Sequence, residues 1–257
     1  MNKNILLSSA GTSLIELSIA VLIGSIIVTS AYRSHEYLSR SAERENQKAM
    51  IQRDLITATE KMSREIRMAG LSLPGNGLQA TLSDSSSDEL QVFSNESNSK
   101  TVLTTNLSYG DIKMYVQNVT GAVADGWVCI AGNGLDTIYR KISNVVEPNT
   151  VYLSGPVGAG TFTTMSTEIY FCKRFVFKIT KTGETSAFTI QRNALSIDIG
   201  GKIDTFNIML KNSAGAVITS NFQNAKTVTL FLGGYVGKGS NRHLVSESID
   251  INVRNGN

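Results

Sequence analysis

The sequence has very few of the residues that build metal sites, disulfide frameworks and catalytic centres. Its 257 residues include two cysteines, Cys129 and Cys172, and two histidines, His35 and His243. A structural zinc site uses about four nitrogen or sulfur ligands, and the sequence has no Cys-x-x-Cys pair, so we expect no metal centre. No Ser-His-Asp arrangement stands out, and we expect both histidines at the surface. We therefore expect neither a cofactor nor enzymatic activity.

Charge of one sign is not in large excess either. Lys and Arg number 24 and Asp and Glu number 21, which gives a formal net charge of +3. No run of five basic residues occurs, so the pattern typical of nucleic-acid-binding segments is missing. One glycine-rich basic stretch, 233–243, differs from a phosphate-binding P-loop in its spacing and in the residue after Lys238. We interpret it as a loop between strands, with contact to an anionic partner such as DNA as the alternative.

What the sequence does have is one long apolar stretch near its N-terminus. Residues 14–31 are almost wholly apolar, and Glu16 is the only charged residue among them. About 20 residues of helix span a bilayer core, and residues 14–32 nearly reach that length. A carboxylate within such a helix is energetically costly, so Glu16 indicates a functional position.

The same helix is predicted to continue well beyond the apolar stretch. Residues 33–48 are polar and highly charged, without a Pro or Gly to end the helix. An apolar residue then recurs every three or four positions, at Ile51, Leu55, Ala58, Met62, Ile66 and Ala69. This is the period of one helix face. Gly70 is typical of the position just past a helix C-terminus, so we predict one helix over residues 14–69.

Beyond Gly70 the apolar period changes to that of β-strands. Segments enriched in β-branched and aromatic residues alternate with Gly, Asn, Ser and Pro, which is typical of strands joined by turns. The predicted strands cover residues 89–94, 101–107, 112–116, 127–131, 137–145, 150–153, 168–180, 186–192, 195–199, 203–211, 227–232 and 247–253. Residues 181–184 and 212–215 are predicted hairpin turns. The sequence thus predicts an α+β fold, in which the last third of a long N-terminal helix packs on a mostly antiparallel β-sheet head.

The start of this helix resembles the signal of a known family. The sequence Gly11-Thr-Ser-Leu-Ile-Glu-Leu, followed by an apolar run, is similar to the class III signal of type IV pilins and type II secretion pseudopilins. In that family a prepilin peptidase cuts after the Gly and methylates the new N-terminus. The resemblance implies cleavage between Gly11 and Thr12 and N-methylation of Thr12. Glu16 then becomes the fifth residue of the mature chain.

Two further segments resemble one branch of that family. Residues 62–70 and 248–255 are similar to the corresponding segments of PilW-type minor pilins and J-type pseudopilins. Arg33 occupies the place where many major pilins have a helix-kinking Pro, which favours a minor component. The resemblance divides the chain into a leader at 1–11, a transmembrane and filament-core helix at 12–32, a solvated and then amphipathic helix at 33–70, and a β-rich head at 71–257.

The function implied by the resemblance is structural. Such a subunit helps to initiate or cap a type IV pilus or a type II secretion pseudopilus. Its partners are the helices of other pilin-type subunits, the prepilin peptidase and the inner-membrane assembly platform. It spans the inner membrane once before assembly and belongs to a periplasmic or extracellular filament afterwards. The family implies that Glu16 lies near the N-terminal amine of a neighbouring subunit, and pairing there would favour one axial register.

Several features have a second interpretation. Ser13-x-x-Glu16 also fits a capping box, which satisfies free N–H groups at a helix start. Residues 1–31 also fit an ordinary secretory signal with a cut before Tyr32. For an exported head, a Cys129–Cys172 disulfide and two buried free thiols are equally expected. The alternative function is a membrane-anchored or secreted β-rich domain that binds a ligand, a surface or DNA.

Overall fold

A long helix and fourteen strands make up the described chain, as seen in a computed structural model. The structure describes residues 14–82, 88–132, 137–158, 160–164, 166–182, 185–192, 195–200, 203–220, 222–237 and 242–253. Helix α1 runs from Leu14 to Arg67, and a short 3-10 helix covers Phe222–Asn224. The predicted α+β fold is confirmed. The chain forms two compact units, residues 1–49 and residues 50–257, and the second contains the whole β-rich head.

The strands lie close to their predicted positions. They are β1 Leu78–Thr81, β2 Glu89–Ser94, β3 Lys100–Val102, β4 Lys113–Tyr115, β5 Trp127–Gly132, β6 Ile138–Val146, β7 Thr150–Leu153, β8 Thr167–Thr182, β9 Thr185–Arg192, β10 Leu195–Gly200, β11 Thr205–Lys211, β12 Val217–Ile218, β13 Thr227–Val236 and β14 His243–Asn252. The short strands β1 and β12 were not predicted. The predicted strand 101–107 is shorter, because Leu103 and Leu107 form only isolated bridges.

The described strands of the head form two antiparallel sheets rather than the single sheet predicted. Strand β8 is the axis of the larger, ten-stranded sheet. Its first half pairs with β3 on one side and β5 on the other, and its second half pairs with β2 and β9. The smaller sheet has the order β12-β11-β13-β14, which leaves β14 at an edge.

The last third of α1 packs into the head through the predicted apolar stripe. Its members are each at most 1% exposed: Ile51, Leu55, Ala58, Met62, Ile66 and Ala69. They share a core with residues of β1, β2 and β9 from the larger sheet and of β11, β13 and β14 from the smaller one. Full burial stabilises a Leu- or Met-sized side chain by about 1.5–3 kcal/mol. The stripe therefore holds this part of the helix in place, and the prediction is confirmed.

The helix ends at Arg67, and the chain then turns at Gly70 as predicted. Gly70 has a φ of 72°, which is readily adopted only by glycine. A Cβ at this position would lie 2.4 Å from the carbonyl oxygen of Gly75. The Gly70 N–H donates a hydrogen bond to the Phe93 carbonyl oxygen at 3.0 Å. This bond ties the end of the helix to β2.

Both predicted hairpins join paired strands. At the β11–β12 turn, the Asn212 side-chain oxygen accepts hydrogen bonds from the N–H groups of Ala214 and Ala216, each at 3.0 Å. At the β8–β9 turn, Thr182 is the partner of Thr185, so two residues connect the strands. Those two residues, 183 and 184, lie outside the described residues.

Candidate functional surfaces of the helix and the head

The apolar segment at the start of α1 is exposed along its described length. Leu14 is 83% exposed and Val28 is 68% exposed. The mean hydropathy of the most apolar 18-residue window is 2.2, and none of that window is buried. The helix is long and apolar enough to cross a membrane, which is compatible with single-pass anchoring through the predicted residues 12–32. Residues 12 and 13 lie outside the described residues.

Hydroxyl side chains within this segment bond to their own helix. Ser18, Ser25 and Thr29 each donate to a backbone carbonyl oxygen three or four residues earlier, at 2.7–2.8 Å. A hydroxyl that is satisfied in this way is less costly in an apolar medium, where no water is available. The segment is therefore suited to a lipid or helix-bundle environment despite its polar residues.

Glu16 lies in the first turn of α1, and its side chain is exposed. A carboxylate in a first turn interacts favourably with the positive end of the helix dipole. Ser13, the other half of the predicted capping box, lies outside the described residues, as do Gly11 and Thr12 of the predicted cleavage site. The pairing and capping roles of Glu16 both stay predictions.

No protein-family model matches the chain, and comparison with curated proteins gives no significant match. The resemblance to pilins therefore depends on the motif at residues 11–17, on the segments 62–70 and 248–255, and on the long helix with its β-rich head.

After its apolar segment, α1 becomes a polar, solvated helix up to residue 49. Glu36 accepts a hydrogen bond from Arg40, and Glu43 accepts one from Gln47 at 3.2 Å. Both pairs have the i, i+4 spacing that stabilises a solvated helix by about 0.2–0.5 kcal/mol each. His35 is exposed on this stretch, as predicted.

The two cysteines are buried free thiols on neighbouring strands. Cys129 is the strand partner of Tyr170 and Cys172 is that of Trp127, so the cysteines are diagonal neighbours on one face of the β5–β8 pair. Diagonal neighbours lie about 7–8 Å apart between Cα atoms. A disulfide usually needs about 4.4–6.8 Å, so the strands would have to shift for the bond to form. The disulfide stays a prediction.

Burial also makes the two thiols poor nucleophiles. Loss of solvent raises the pKa of Cys129 to about 12, and a hydrogen bond with Tyr139 only partly opposes this effect. Burial, reinforced by the neighbouring Cys129, raises the pKa of Cys172 well above its ordinary value. Since the thiolate is the reactive form, the pair is not suited to redox or nucleophilic chemistry at neutral pH. Its setting is that of packing residues.

A small aromatic cluster surrounds the cysteines. The Phe93 ring stacks on Tyr139 at 4.0 Å between centroids, and the half-buried Trp127 meets Phe93 edge-on at 5.5 Å. The Arg174 guanidinium lies 4.3 Å from the centroid of the Trp127 ring. Trp127 thus packs against the cluster and stays partly exposed.

The interpretation of residues 233–243 as a loop is wrong for residues 233–236 and for His243, which lie in strands. Strand β13 continues to Val236, and β14 begins at His243, which is exposed as predicted. A Cβ on Gly233 would lie 2.6 Å from Thr205 Oγ1, so glycine here permits close packing of strands rather than a turn. Residues 238–241 lie outside the described residues. Within the described chain, no group of three or more His, Cys, Asp or Glu side chains could hold a metal ion.

The head also has a surface groove that the sequence did not predict. It has a volume of about 910 Å³ and lies between the last third of α1 and strand β14. Ile56, Glu60 and Ser63 line it from α1, and Glu247 and Ile249 line it from β14. Glu60 on one wall and Glu247 on the other are nearly 190 positions apart in the sequence, so only tertiary packing brings the two walls together.

Acidic side chains influence one another in this groove. Partial burial raises the pKa of Glu65, and the nearby Glu96 carboxylate raises it further, while Arg64 is the largest opposing influence. Glu96 forms an ion pair with Lys173. Ser63 is 8% exposed, and within the described residues its Oγ has no hydrogen-bond partner.

Proposed function

We propose that this chain is a structural subunit of the minor-pilin or pseudopilin type. Its N-terminal helix anchors it in the inner membrane and then joins the helical core of a type IV pilus or a type II secretion pseudopilus. There it helps to initiate or cap assembly. The observation that carries the proposal is α1, a single helix that begins as an exposed apolar segment and ends as a buried element of a β-rich head.

The exposed apolar segment supports this proposal because it requires a nonaqueous environment. Burial from water stabilises by about 25 cal/mol per Å² of apolar surface, so a run of large aliphatic side chains strongly favours lipid or partner helices. The exposed aliphatic residues of the segment are Leu14, Ile15, Leu17, Ile19, Val21, Leu22, Ile23, Ile26, Ile27 and Val28. A membrane satisfies this need before assembly, and a bundle of pilin-type helices satisfies it afterwards.

Glu16 supports assembly rather than anchoring alone. A charged side chain inside a membrane helix costs about 3 kcal/mol at the bilayer centre, and a simple anchor does not need one. In the proposed filament the carboxylate meets the N-terminal amine of a neighbouring subunit. Breaking a buried ion pair leaves an uncompensated charge, which penalises every other axial register. The charge therefore specifies position in the bundle more than it adds net stability.

The test is incorporation of Glu16 variants into filaments in the native cell. Glu16→Ala and Glu16→Val are expected to insert into the membrane normally and to fall about tenfold or more in the sheared filament fraction, which corresponds to about 1.4 kcal/mol or more of lost pairing. Glu45→Val is the control, since Glu45 is exposed on the solvated part of the same helix. Normal incorporation of the Glu16 variants, or an equal loss in the control, would contradict the proposed role.

A further inference from the structure

Strand β14 is an open edge of the smaller sheet. Among the described strands it pairs only with β13, over all ten residues from His243 to Asn252. Proteins usually protect an edge of this length with lysine, proline or a bulge, because its free N–H and C=O groups accept another strand. β14 contains no Lys, Arg or Pro, and its charged residues are Glu247 and Asp250. The edge is therefore suited to pairing with a further strand.

The groove lies beside this edge and has the size of a short strand. Its α1 wall runs at least from Ile56 to Arg67. Eleven helical steps at about 1.5 Å give a length of about 16 Å. A strand rises about 3.3 Å per residue, so an extended segment that runs parallel to α1 would place about five residues along this wall. A strand added to β14 would direct alternate side chains towards the α1 wall.

The chemistry of the groove specifies what those side chains should be. Four glutamates line it, Glu60, Glu65, Glu96 and Glu247, against two arginines, Arg64 and Arg67. Glu96 is already paired with Lys173, and the cations Arg64, Arg192 and Lys173 act on Glu65. Glu60 and Glu247 are therefore the carboxylates most available to an occupant. Opposite charges across an interface provide specificity and faster association. The groove is complementary to basic side chains.

Ser63 adds a polar position to the α1 wall of the groove. Other hydroxyls of α1, such as that of Thr59, donate to a carbonyl oxygen of the preceding turn. Ser63 lines the groove, and its buried Oγ has no such partner within the described residues. A buried hydroxyl without a partner costs about 1–3 kcal/mol, and rotation of the Ser63 side chain towards a bound backbone group would remove that cost.

We propose that the edge of β14 and the adjoining groove bind an extended segment of a partner protein. The segment adds a fifth strand to the smaller sheet and places lysine or arginine side chains against Glu60 and Glu247. A second copy of this chain is a poor occupant, because its own β14 has Glu247 and Asp250 and no Lys or Arg to place in the groove. The proposal is independent of filament assembly, since it concerns the head alone.

The experiment measures amide hydrogen exchange in β14 of the full chain in nonionic detergent. The probe is a blocked peptide of alternating lysine and threonine, about six residues long, and the control peptide has glutamate in place of lysine. The lysine peptide is expected to slow exchange in β14 about tenfold, because edge amides become hydrogen-bonded, and the glutamate peptide to leave it unchanged.

Charge-neutralising variants distinguish binding of the peptide in the groove from nonspecific electrostatic attraction to the protein. The double variant Glu60→Gln with Glu247→Gln is expected to abolish the protection. Glu43→Gln with Glu45→Gln makes the same charge change outside the head and is expected to retain it. Ser63→Ala is expected to weaken peptide binding about tenfold without lowering the melting temperature, since the hydroxyl has no partner to lose.

Four results would overturn the proposal. They are unchanged exchange in β14 with the lysine peptide, equal protection by both peptides, equal protection in both double variants, and a dimer that protects β14 without peptide. Loss of protection only in the groove variant supports it.

Discussion

Replacement of Met62 by alanine tests how the last third of α1 is held in the head. Met62 is 0% exposed and lies in the core shared with both sheets. Met50, on the same helix, is 56% exposed. Met62→Ala and Met50→Ala therefore remove the same atoms from one buried and one exposed position. Their difference isolates the contribution of burial.

The expected difference is large. Truncation of a buried Met to Ala costs about 2–5 kcal/mol, because transfer free energy is lost and a cavity is left. Exposed substitutions usually stay within about 0.5 kcal/mol. For a head of this size, about 3 kcal/mol corresponds to a fall in melting temperature of about 6–12 °C. Met50→Ala is expected to leave the melting temperature almost unchanged.

Urea unfolding of the full chain in detergent, followed by tryptophan fluorescence, provides the measurement. Trp127 is the only tryptophan, and its contact with Phe93 places it in the head. Phe93 also accepts the Gly70 hydrogen bond, so the signal comes from a region tied to the helix end. Met62→Ala should lower the midpoint without changing the slope. Equal midpoints for the two variants would refute the inferred packing of the stripe.

Two further predictions concern Glu65 and Gly70. Burial, and after it the Glu96 carboxylate, raise the pKa of Glu65 above 4.5, so folding favours the protonated form of Glu65. The resulting contribution to the free energy of unfolding is fully present below about pH 4 and is lost as the pH rises through the folded pKa. Glu65→Gln should therefore raise the melting temperature at about pH 7 but not at about pH 4, unlike the exposed control Glu45→Gln; a gain equal at both pH values would contradict this. Gly70→Ala should lower the free energy of unfolding, measured in urea, by about 1–3 kcal/mol. Gly155→Ala should lower it much less, because a Cβ on Gly155 would meet nothing within 4 Å. Equal costs would refute the strain at Gly70.

Local patterns predicted the elements of this fold well. The stripe from Ile51 to Ala69 is periodic over several turns, so a single buried helix face accounts for it. Strands β2 and β7 were predicted to the residue because turn residues bound short β-branched or aromatic segments on both sides. These signals act over a few neighbouring residues, so they can be recognised without knowledge of the tertiary structure.

The failures share a physical cause in contacts between distant residues. Gly233 and Gly234 looked like turn residues, yet both lie in β13 and pair with β14. The close approach of Thr205 on β11 leaves little room for a Cβ at Gly233. The division into two sheets and the exposed edge of β14 depend on which strands pair, and strand composition does not specify that. The groove is lined by Ser63 on α1 and Ile249 on β14, so it could not be predicted from the sequence for the same reason.

The mature N-terminus of the chain tests the central claim most directly. The measurement is mass spectrometry of the N-terminal fragment of the protein purified from membranes of its native cell. If the chain is a pilin-type subunit, the fragment begins at Thr12 and carries an N-methyl group. A fragment that begins at Tyr32, or one that retains Met1, would contradict the proposed processing and the assembly role that depends on it.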